Sequence, residues 1–309
     1  MLNIQENVPL SKFTTFRIGG PAKFFVVVSN EAELLEALKY AENQGLDFFV
    51  MGGGSNVLVS DQGFNGLVIK LSNAEFLIDG LSVEAGAGVP LAKLVRETGA
   101  KGLAGVEWAA GIPGTVGGAV RGNAGAFSRT TGESVKSVRV YDVAEKKVED
   151  YSASDCAFGY RDSHFKHDKK LIILSVKFEF TLGSQEELEQ KSREIIQKRV
   201  SIHPHGMGSA GSFFMNPTVE NQELIQEFEN QKQTKARGNK LPAGWVIEYA
   251  GLKGKKMGGA IISETHGDFI LNTGGATASD VIMLESFVKQ QVRDRFGVQL
   301  QREVEYIGF

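Results

Sequence analysis

Two separate glycine stretches constrain this chain more than any other feature of its sequence. Gly52-Gly53-Gly54-Ser55-Asn56 follows a strand-like run, Asp47 to Met51, and leads into the apolar Val57-Leu58-Val59. Consecutive glycines let backbone N–H groups converge on an anion with no β-carbon in the way, although a plain tight turn uses the same residues. Gly111-Ile112-Pro113-Gly114-Thr115-Val116-Gly117-Gly118 repeats the theme as a predicted loop, closing on Asn123-Ala124-Gly125-Ala126. Two such loops in one domain suit a large dinucleotide such as FAD better than a single phosphate. Glu84-Ala85-Gly86-Ala87-Gly88 has the look of a Rossmann fingerprint, but Leu91 stands where the third glycine belongs. No P-loop occurs either.

The remaining pattern is mixed α+β. Lys23 to Val28 is a predicted strand, and Glu31 to Asn43 a helix with Leu34, Leu35, Leu38 and Ala41 inward, ended by Gly45. Short strands follow at Leu67 to Leu71, Glu75 to Ile78 and Ser82 to Ala85, then a helix opened by Pro90. Val135 to Val143 and Lys147 to Tyr151 form a predicted hairpin, and Leu171 to Phe180 another strand. Ser184 with Glu187 reads as a capping box that launches a charged helix. The texture changes there, so the expected division is 1–183, itself in two subdomains (about 1–70 and 71–183), and 184–309. Beyond it are predicted helices from Glu220 to Gln231, from Pro242 to Gly251, and from a Ser279 cap to Gly297, then a last strand from Val298 to Ile307.

Length fits this division, because 309 residues exceed what one hydrophobic core usually serves. The net charge of −3, without long runs of one sign, gives no electrostatic footprint for nucleic acid. No window approaches a membrane span, and the start, Met1 to Glu6, lacks a leader pattern, so the expectation is a cytoplasmic protein. The single cysteine, Cys156, beside Ala157 and Phe158, reads as a small buried hydrophobe. His203-Pro204-His205 lacks partnering ligands, and no metal site is assigned.

Taken in order, Thr14 to Ala22, Gly52 to Asp61, and Gly111 to Gly118 with Asn123 to Ala126 resemble the flavin half of the UDP-N-acetylenolpyruvoylglucosamine reductases. Phe158 to Ser163, Ser209 to Phe214 with Asn216-Pro217, and Ala250 to Gly254 are similar to the family's catalytic and substrate segments. Ser263, His266, Phe269-Ile270 and Asn272 fit a further signature, and Arg302-Glu303-Val304 the terminal motif. The likeness spans nearly the whole chain. It implies a vanillyl-alcohol-oxidase/PCMH-type FAD-binding fold in two subdomains, followed by a smaller α+β substrate-binding domain. The interval between Arg161 and Ser212 leaves no room for the tyrosine-bearing loop of the family's longer form.

The same resemblance implies FAD held non-covalently by Gly52, Gly53, Gly54, Ser55, Asn56, Pro113, Gly114, Thr115, Gly117, Gly118 and Ala124, NADPH as hydride donor, and a UDP-sugar substrate. Ser212 matches the family's proton donor, which can be a weak acid because the carbanion it quenches is a strong base. Arg161 offers a planar, permanently charged fork to the substrate carboxylate. Glu303 matches the acidic partner, returned to the site by the C-terminal strand and able to hold a developing enolate if kept protonated. Without the resemblance Arg161 would be read as a surface ion pair with Asp162, Ser212 as a helix or turn cap and Glu303 as a solvated strand residue. Tyr160 and Asn216 are the expected substrate contacts.

The family usually has Lys where Met215 stands, Gln at His203, Pro at Gly208 and Met at Gly122. Lys253, Lys255 and Lys256 are the candidates to replace the missing charge. Two rivals share much of this pattern. A flavin oxidase of sugars or alcohols commonly tethers its flavin through His or Cys, and neither glycine loop has one. An inactive nucleotide-sugar-binding homologue would keep the fold without turnover. A monomer is expected.

Overall fold

The computed structural model describes residues 2–202, 204 and 206–309; His203 and His205, read above as no metal site, lie outside the described residues. The chain makes two compact units that interleave along the sequence. One unit takes the N-terminal residues up to Val8, Lys23–Gly53 and Asn65–Ser201, and the other takes Pro9–Ala22, Gly54–Phe64 and Ile202–Phe309. The first glycine loop is therefore a crossing point, with Gly53 and Gly54 in different units.

In the first unit a sheet is ordered Gln5–Pro9, Pro21–Val28, Phe64–Leu71, Phe48–Met51. Its last two strands run parallel, from Phe48 opposite Leu67 to Met51 opposite Lys70. The helix Glu31–Gln44 starts where the Asn30 side chain accepts the Glu33 N–H and stops at Gly45, whose φ of 61° a glycine adopts without strain. It buries Leu34, Ala37, Leu38 and Ala41 with Val26, Val28, Leu67 and Ile69. Each of the leucine, valine and isoleucine side chains among them contributes roughly 1.5–3 kcal/mol on leaving water.

A second sheet of five antiparallel strands follows in the order Lys147–Ser152, Val135–Asp142, Leu171–Glu179, Ser82–Gly86, Phe76–Asp79. The expected hairpin closes with Asp142 opposite Lys147. Val83, Val138, Val176 and Phe178 of this sheet pack with Leu94 of the helix Leu91–Ala100 and with Cys156. Burial pushes the Cys156 thiol up to about 11, with Asp155 adding to it, so this sulfur stays protonated and unreactive at neutral pH.

Two expectations need correction here. The second glycine stretch is loop only as far as Thr115, whose hydroxyl accepts the Gly118 N–H and begins a helix, Val116–Arg121. The glycines hid a helical turn that a side-chain period cannot report. The charged helix launched by Ser184 runs Gln185–Ile202, and its Lys191 Nζ meets the buried Glu107 carboxylate at 2.6 Å while Arg199 Nε donates to the Ala110 carbonyl at 2.9 Å. Those bonds tie it to what precedes it, and the compact unit extends to Ser201 where a break at 183/184 was expected.

The second unit has one core, in which Val281, Leu284, Val288 and Val292 of the helix Ala278–Phe296 pack with Phe213, Phe214, Val246 and Ile262. Ser279 is not its cap. Thr277 is, in a reciprocal pairing with Asp280, and the Ser279 N–H and hydroxyl go instead to Asp61, which also accepts the Ala278 N–H at 2.7 Å. A carboxylate from a distant segment thus sits on the positive end of the helix dipole. Gly297, at φ 72°, ends the helix as expected.

The helices Gln222–Lys232 and Ala243–Tyr249 and a three-stranded sheet, Lys256–Met257, Ala260–Ile262, Ile270–Asn272, complete the unit. The predicted last strand is mostly absent as a regular element. Only Glu305–Ile307 forms one, parallel to Val57–Val59, while the residues before it pair singly with another segment: Phe214 bridges Arg302, and Met215 N–H donates to Gln301 O at 2.8 Å. Among the described residues no helix is long and apolar enough to cross a membrane.

Candidate active site

The first unit brings the two glycine stretches together. A β-carbon on Gly52 would come within 2.5 Å of Thr115 Oγ1, and one on Gly53 within 2.7 Å of the Gly114 Cα. Glycine is required at both positions by loop-to-loop contact alone. Gly117 is pressed in the same way on Ala87, and its N–H donates to the Ala87 carbonyl at 2.9 Å. Pro113 and Gly118 are exposed, and a β-carbon on Gly118 would find nothing closer than Thr115 Oγ1 at 3.6 Å.

Lys70 Nζ donates to the Gly52 carbonyl at 2.9 Å, and burial holds this ammonium below the usual lysine range. A positive charge therefore underlies the start of the first loop. Gly114, Thr115 and Ala124 are fixed by backbone bonds: Leu91 N–H to Gly114 O, Ala119 N–H to Thr115 O, Ala124 N–H to Ala119 O at 2.8 Å. Apposed glycine backbone, an open first helical turn and a nearby ammonium fit the pyrophosphate of FAD.

Asn123, buried and at φ 39°, was not singled out from the sequence. Its Nδ2 donates to the Gly159 carbonyl at 2.7 Å and its Oδ1 accepts the Gly132 N–H at 2.9 Å. Ser163 Oγ adds a bond to Arg121 O at 2.6 Å. The glycine-rich segment is thus stapled to the turn that carries Tyr160 and Arg161. Arg161 itself sits at φ 57°, a left-handed backbone that costs a non-glycine residue on the order of 1–3 kcal/mol and persists only where surroundings enforce it. Its guanidinium lies 5.5 Å from the exposed Tyr160 ring and next to Gly125, where a β-carbon would meet Nη1 at 3.1 Å. The Asp162 carboxylate is taken by His167 Nε2, at 2.8 and 2.9 Å.

The second unit brings Ser212 and Glu303 together. Gly211, at φ 80°, turns the chain into Ser212, and the next residues are held on both sides. On one side Phe213 N–H donates to the Asp268 carbonyl at 2.8 Å and Phe214 N–H to Asp268 Oδ1 at 2.9 Å; on the other, Glu303 N–H donates to Phe213 O at 2.8 Å. Ser212 bridges Phe269 through backbone, which sets its side chain beside the carboxyl of Asp268, a residue the sequence reading passed over. Asn56 closes the far side: its Nδ2 donates to Glu303 O at 3.3 Å and its carbonyl accepts the Glu305 N–H at 3.0 Å. Gly54 and Ser55 precede it in the same unit, with Gly54 O accepting the Thr15 N–H.

The expected substrate contacts are more dispersed. Asn216 Oδ1 accepts the Ala243 N–H at 3.0 Å and so supplies the cap that Pro242 cannot. Lys255 Nζ rests 4.8 Å from the Phe287 ring, and Lys256 lies exposed in its short strand. Lys253 is near enough to His266 for its charge to act on that ring, which burial, foremost, holds below the ordinary histidine range. Neutral His266 accepts the Asp268 N–H on Nδ1 at 3.2 Å. Asn272 is spent on structure, donating to Phe16 O and Arg17 O and accepting from Gly274 and Ala276.

Residues 203–307 match the model of the UDP-N-acetylenolpyruvoylglucosamine reductase C-terminal domain, and residues 22–150 that of an FAD binding domain. The UDP-N-acetylenolpyruvoylglucosamine reductase of Solibacter usitatus is 37% identical over 308 residues, 99% of this chain and 97% of that one. That of Carboxydothermus hydrogenoformans is 38% identical, covering 99% and 94%. The crystal structure of the Thermus caldophilus UDP-N-acetylenolpyruvylglucosamine reductase aligns at a TM-score of 0.79 and 32% identity, over 99% of this chain and 100% of that one. The chain therefore belongs to the UDP-N-acetylenolpyruvoylglucosamine reductase family of FAD-dependent oxidoreductases, with that family's vanillyl-alcohol-oxidase/PCMH-type flavin fold and α+β C-terminal domain.

Proposed function

We propose that this protein reduces UDP-N-acetylglucosamine enolpyruvate to UDP-N-acetylmuramate, a peptidoglycan precursor, using NADPH, as a cytoplasmic monomer. The observation that carries the reading is the joint placement of Ser212 and Glu303, whose flanking backbones are bonded to one another through Phe213. Bound there, FAD would supply the redox chemistry, relaying hydride from NADPH to the terminal carbon of the enolpyruvyl group. The glycine residues at 52–54, 114, 117 and 118, with Ser55, Asn56, Pro113, Thr115 and Ala124, would hold the dinucleotide.

Reduction leaves negative charge beside the substrate carboxylate. Arg161, its backbone locked by the staple from Asn123, presents a guanidinium to that carboxylate and gains most when charge has accumulated. Glu303 donates a hydrogen bond to the enolate oxygen in its protonated form. The Ser212 hydroxyl gives its proton to the adjacent carbon, where geometry matters more than acidity. Tyr160, Asn216 and the lysines at 253, 255 and 256 contact the UDP-sugar. Purified protein is expected to be yellow, to release free FAD on acid precipitation, and to oxidise NADPH rapidly only when the enolpyruvyl substrate is added. Flavin left on the acid pellet favours a covalent oxidase, and no substrate-dependent turnover favours an inactive homologue.

A further inference from the structure

A serine hydroxyl carries one proton, and the side to which it points decides whether a carbanion can take it. The neighbour that sets this direction is Asp268, 4% exposed and held beside the Ser212 side chain by the backbone bridge from Ser212 to Phe269. The Asp268 carboxyl also accepts the Phe214 N–H at 2.9 Å, so one of its oxygens is fixed as an acceptor. The other charged groups around it are few. Glu303 faces it from the C-terminal segment, and its charge opposes ionisation. On its own loop stands His266, with Lys253 acting on the ring and with Glu248, from the helix Ala243–Tyr249, accepting the Gly267 N–H at 3.0 Å. Arg302, which bridges Phe214 through backbone, places its guanidinium 3.8 Å from the Tyr306 ring.

Burial above all, with Glu303 adding to it, pushes the Asp268 carboxyl well above the usual carboxylate range, and the bonds from Phe214, Ser212 and Phe213 oppose this. The two protonation states have opposite consequences. A carboxylate only accepts, so it draws the Ser212 proton inward and away from substrate. A neutral acid donates through its own O–H, so the serine oxygen becomes the acceptor and its proton is turned outward.

We propose that Asp268 is a positioning residue that works as a neutral acid, donating its O–H to Ser212 Oγ and so presenting the Ser212 proton to the reacting carbon. This rests on the reading of Ser212 as proton donor. Asp268→Asn keeps both features, an oxygen to accept the Phe214 N–H and an N–H donor for Ser212, but cannot ionise. Asp268→Leu keeps the volume and loses both.

The test is anaerobic stopped-flow on the FAD-loaded enzyme in a Glu303→Gln background, which removes the other ionisable group beside Ser212, with the enolpyruvyl substrate reoxidising the reduced flavin, from neutral to alkaline pH. With Asp268 intact this step is expected to fall as pH rises through its raised pKa. Asp268→Asn should keep the neutral-pH rate within about threefold and lose that alkaline limb, whereas Asp268→Leu should lose about tenfold or more with flavin reduction by NADPH unchanged. An alkaline limb retained in Asp268→Asn, or its collapse at every pH, overturns the proposal, as does a full rate in Asp268→Leu. Should the leucine variant fail to fold, two readouts without turnover remain. The wild type should show an infrared carbonyl band of a protonated carboxyl that Asp268→Asn lacks. Folding also favours the protonated form of a group with raised pKa, so its stabilisation is complete at low pH and lost as pH rises through the folded value. The thermal stability of Asp268→Asn should therefore gain on the wild type with rising pH; parallel stability curves and no carboxyl band overturn the inference. Ser212→Ala separates the two readings: full reoxidation in that variant sinks the proton-donor assignment itself.

Discussion

The backbone N–H of Glu303 donates to the carbonyl of Phe213 at 2.8 Å, which sets the carboxyl-bearing residue next to the chain that carries Ser212. Both segments are short and irregular, held by single bridges where a regular sheet would have a ladder. The relationship gives Glu303 a fixed backbone, so the effects of its substitution belong to the side chain. Glu303→Gln, which keeps a hydrogen-bond donor, should retain about tenfold more product-forming activity than Glu303→Ala, with neither altering flavin reduction by NADPH. Equal losses in the two variants would show that the donor bond is not what the residue contributes.

Asn123 should matter to the substrate carboxylate although its bonds go to Gly159 and Gly132 and reach Arg161 only through the turn. Asn123→Ala removes the bonds to Gly159 and Gly132 and leaves alanine in a left-handed conformation. The expected stability loss is about 1–3 kcal/mol, read by denaturant titration, with a raised KM for the enolpyruvyl substrate. An unchanged KM in a destabilised variant would limit Asn123 to stability.

Gly53→Ala should be far more damaging than Gly275→Ala. A β-carbon on Gly53 is forced against the Gly114 backbone, whereas on Gly275 it enters open space. Separation of the two glycine loops is expected to weaken FAD retention through gel filtration by at least about tenfold in affinity while Gly275→Ala retains flavin as the wild type does. Full flavin occupancy in folded Gly53→Ala would mean that contact between the loops is not what shapes the cofactor cradle.

Much of the fold is legible in the sequence because its signals are local. The helix ending at Gly45, the hairpin between Asp142 and Lys147 and the stop at Gly297 follow from turn and capping chemistry within a few residues. What is illegible depends on partners far along the chain. Ser279 looks like a cap until Asp61 arrives to take its N–H, and only then does Thr277 stand out as the residue that begins the helix. Val298 to Ile307 alternates like a strand, but most of its partners are isolated residues of another segment. The helix Gln185–Ile202 carries too many charges to advertise an apolar face, and its allegiance is set by Glu107 and the Ala110 carbonyl.

The candidate site divides in the same way. Ser212, Glu303 and Arg161 can be named only through resemblance, since each has an ordinary reading as a cap, a strand residue or an ion pair. Asp268 carries no sequence signal, because an aspartate between Gly267 and Phe269 reads as a turn residue until the fold buries it. Asn123 had a weak one: asparagine after glycine is among the few residues that tolerate a left-handed backbone.

The central claim is that Ser212 delivers the proton that completes reduction, and it divides the reaction into two separable halves. Single-turnover absorbance of the Ser212→Ala flavoprotein tests it most directly. Bleaching of the flavin by NADPH should proceed at the wild-type rate, and recovery of its colour on adding enolpyruvyl substrate should be slower by about 10²-fold or more. Recovery at the wild-type rate, or an equal slowing of both phases, would contradict the account.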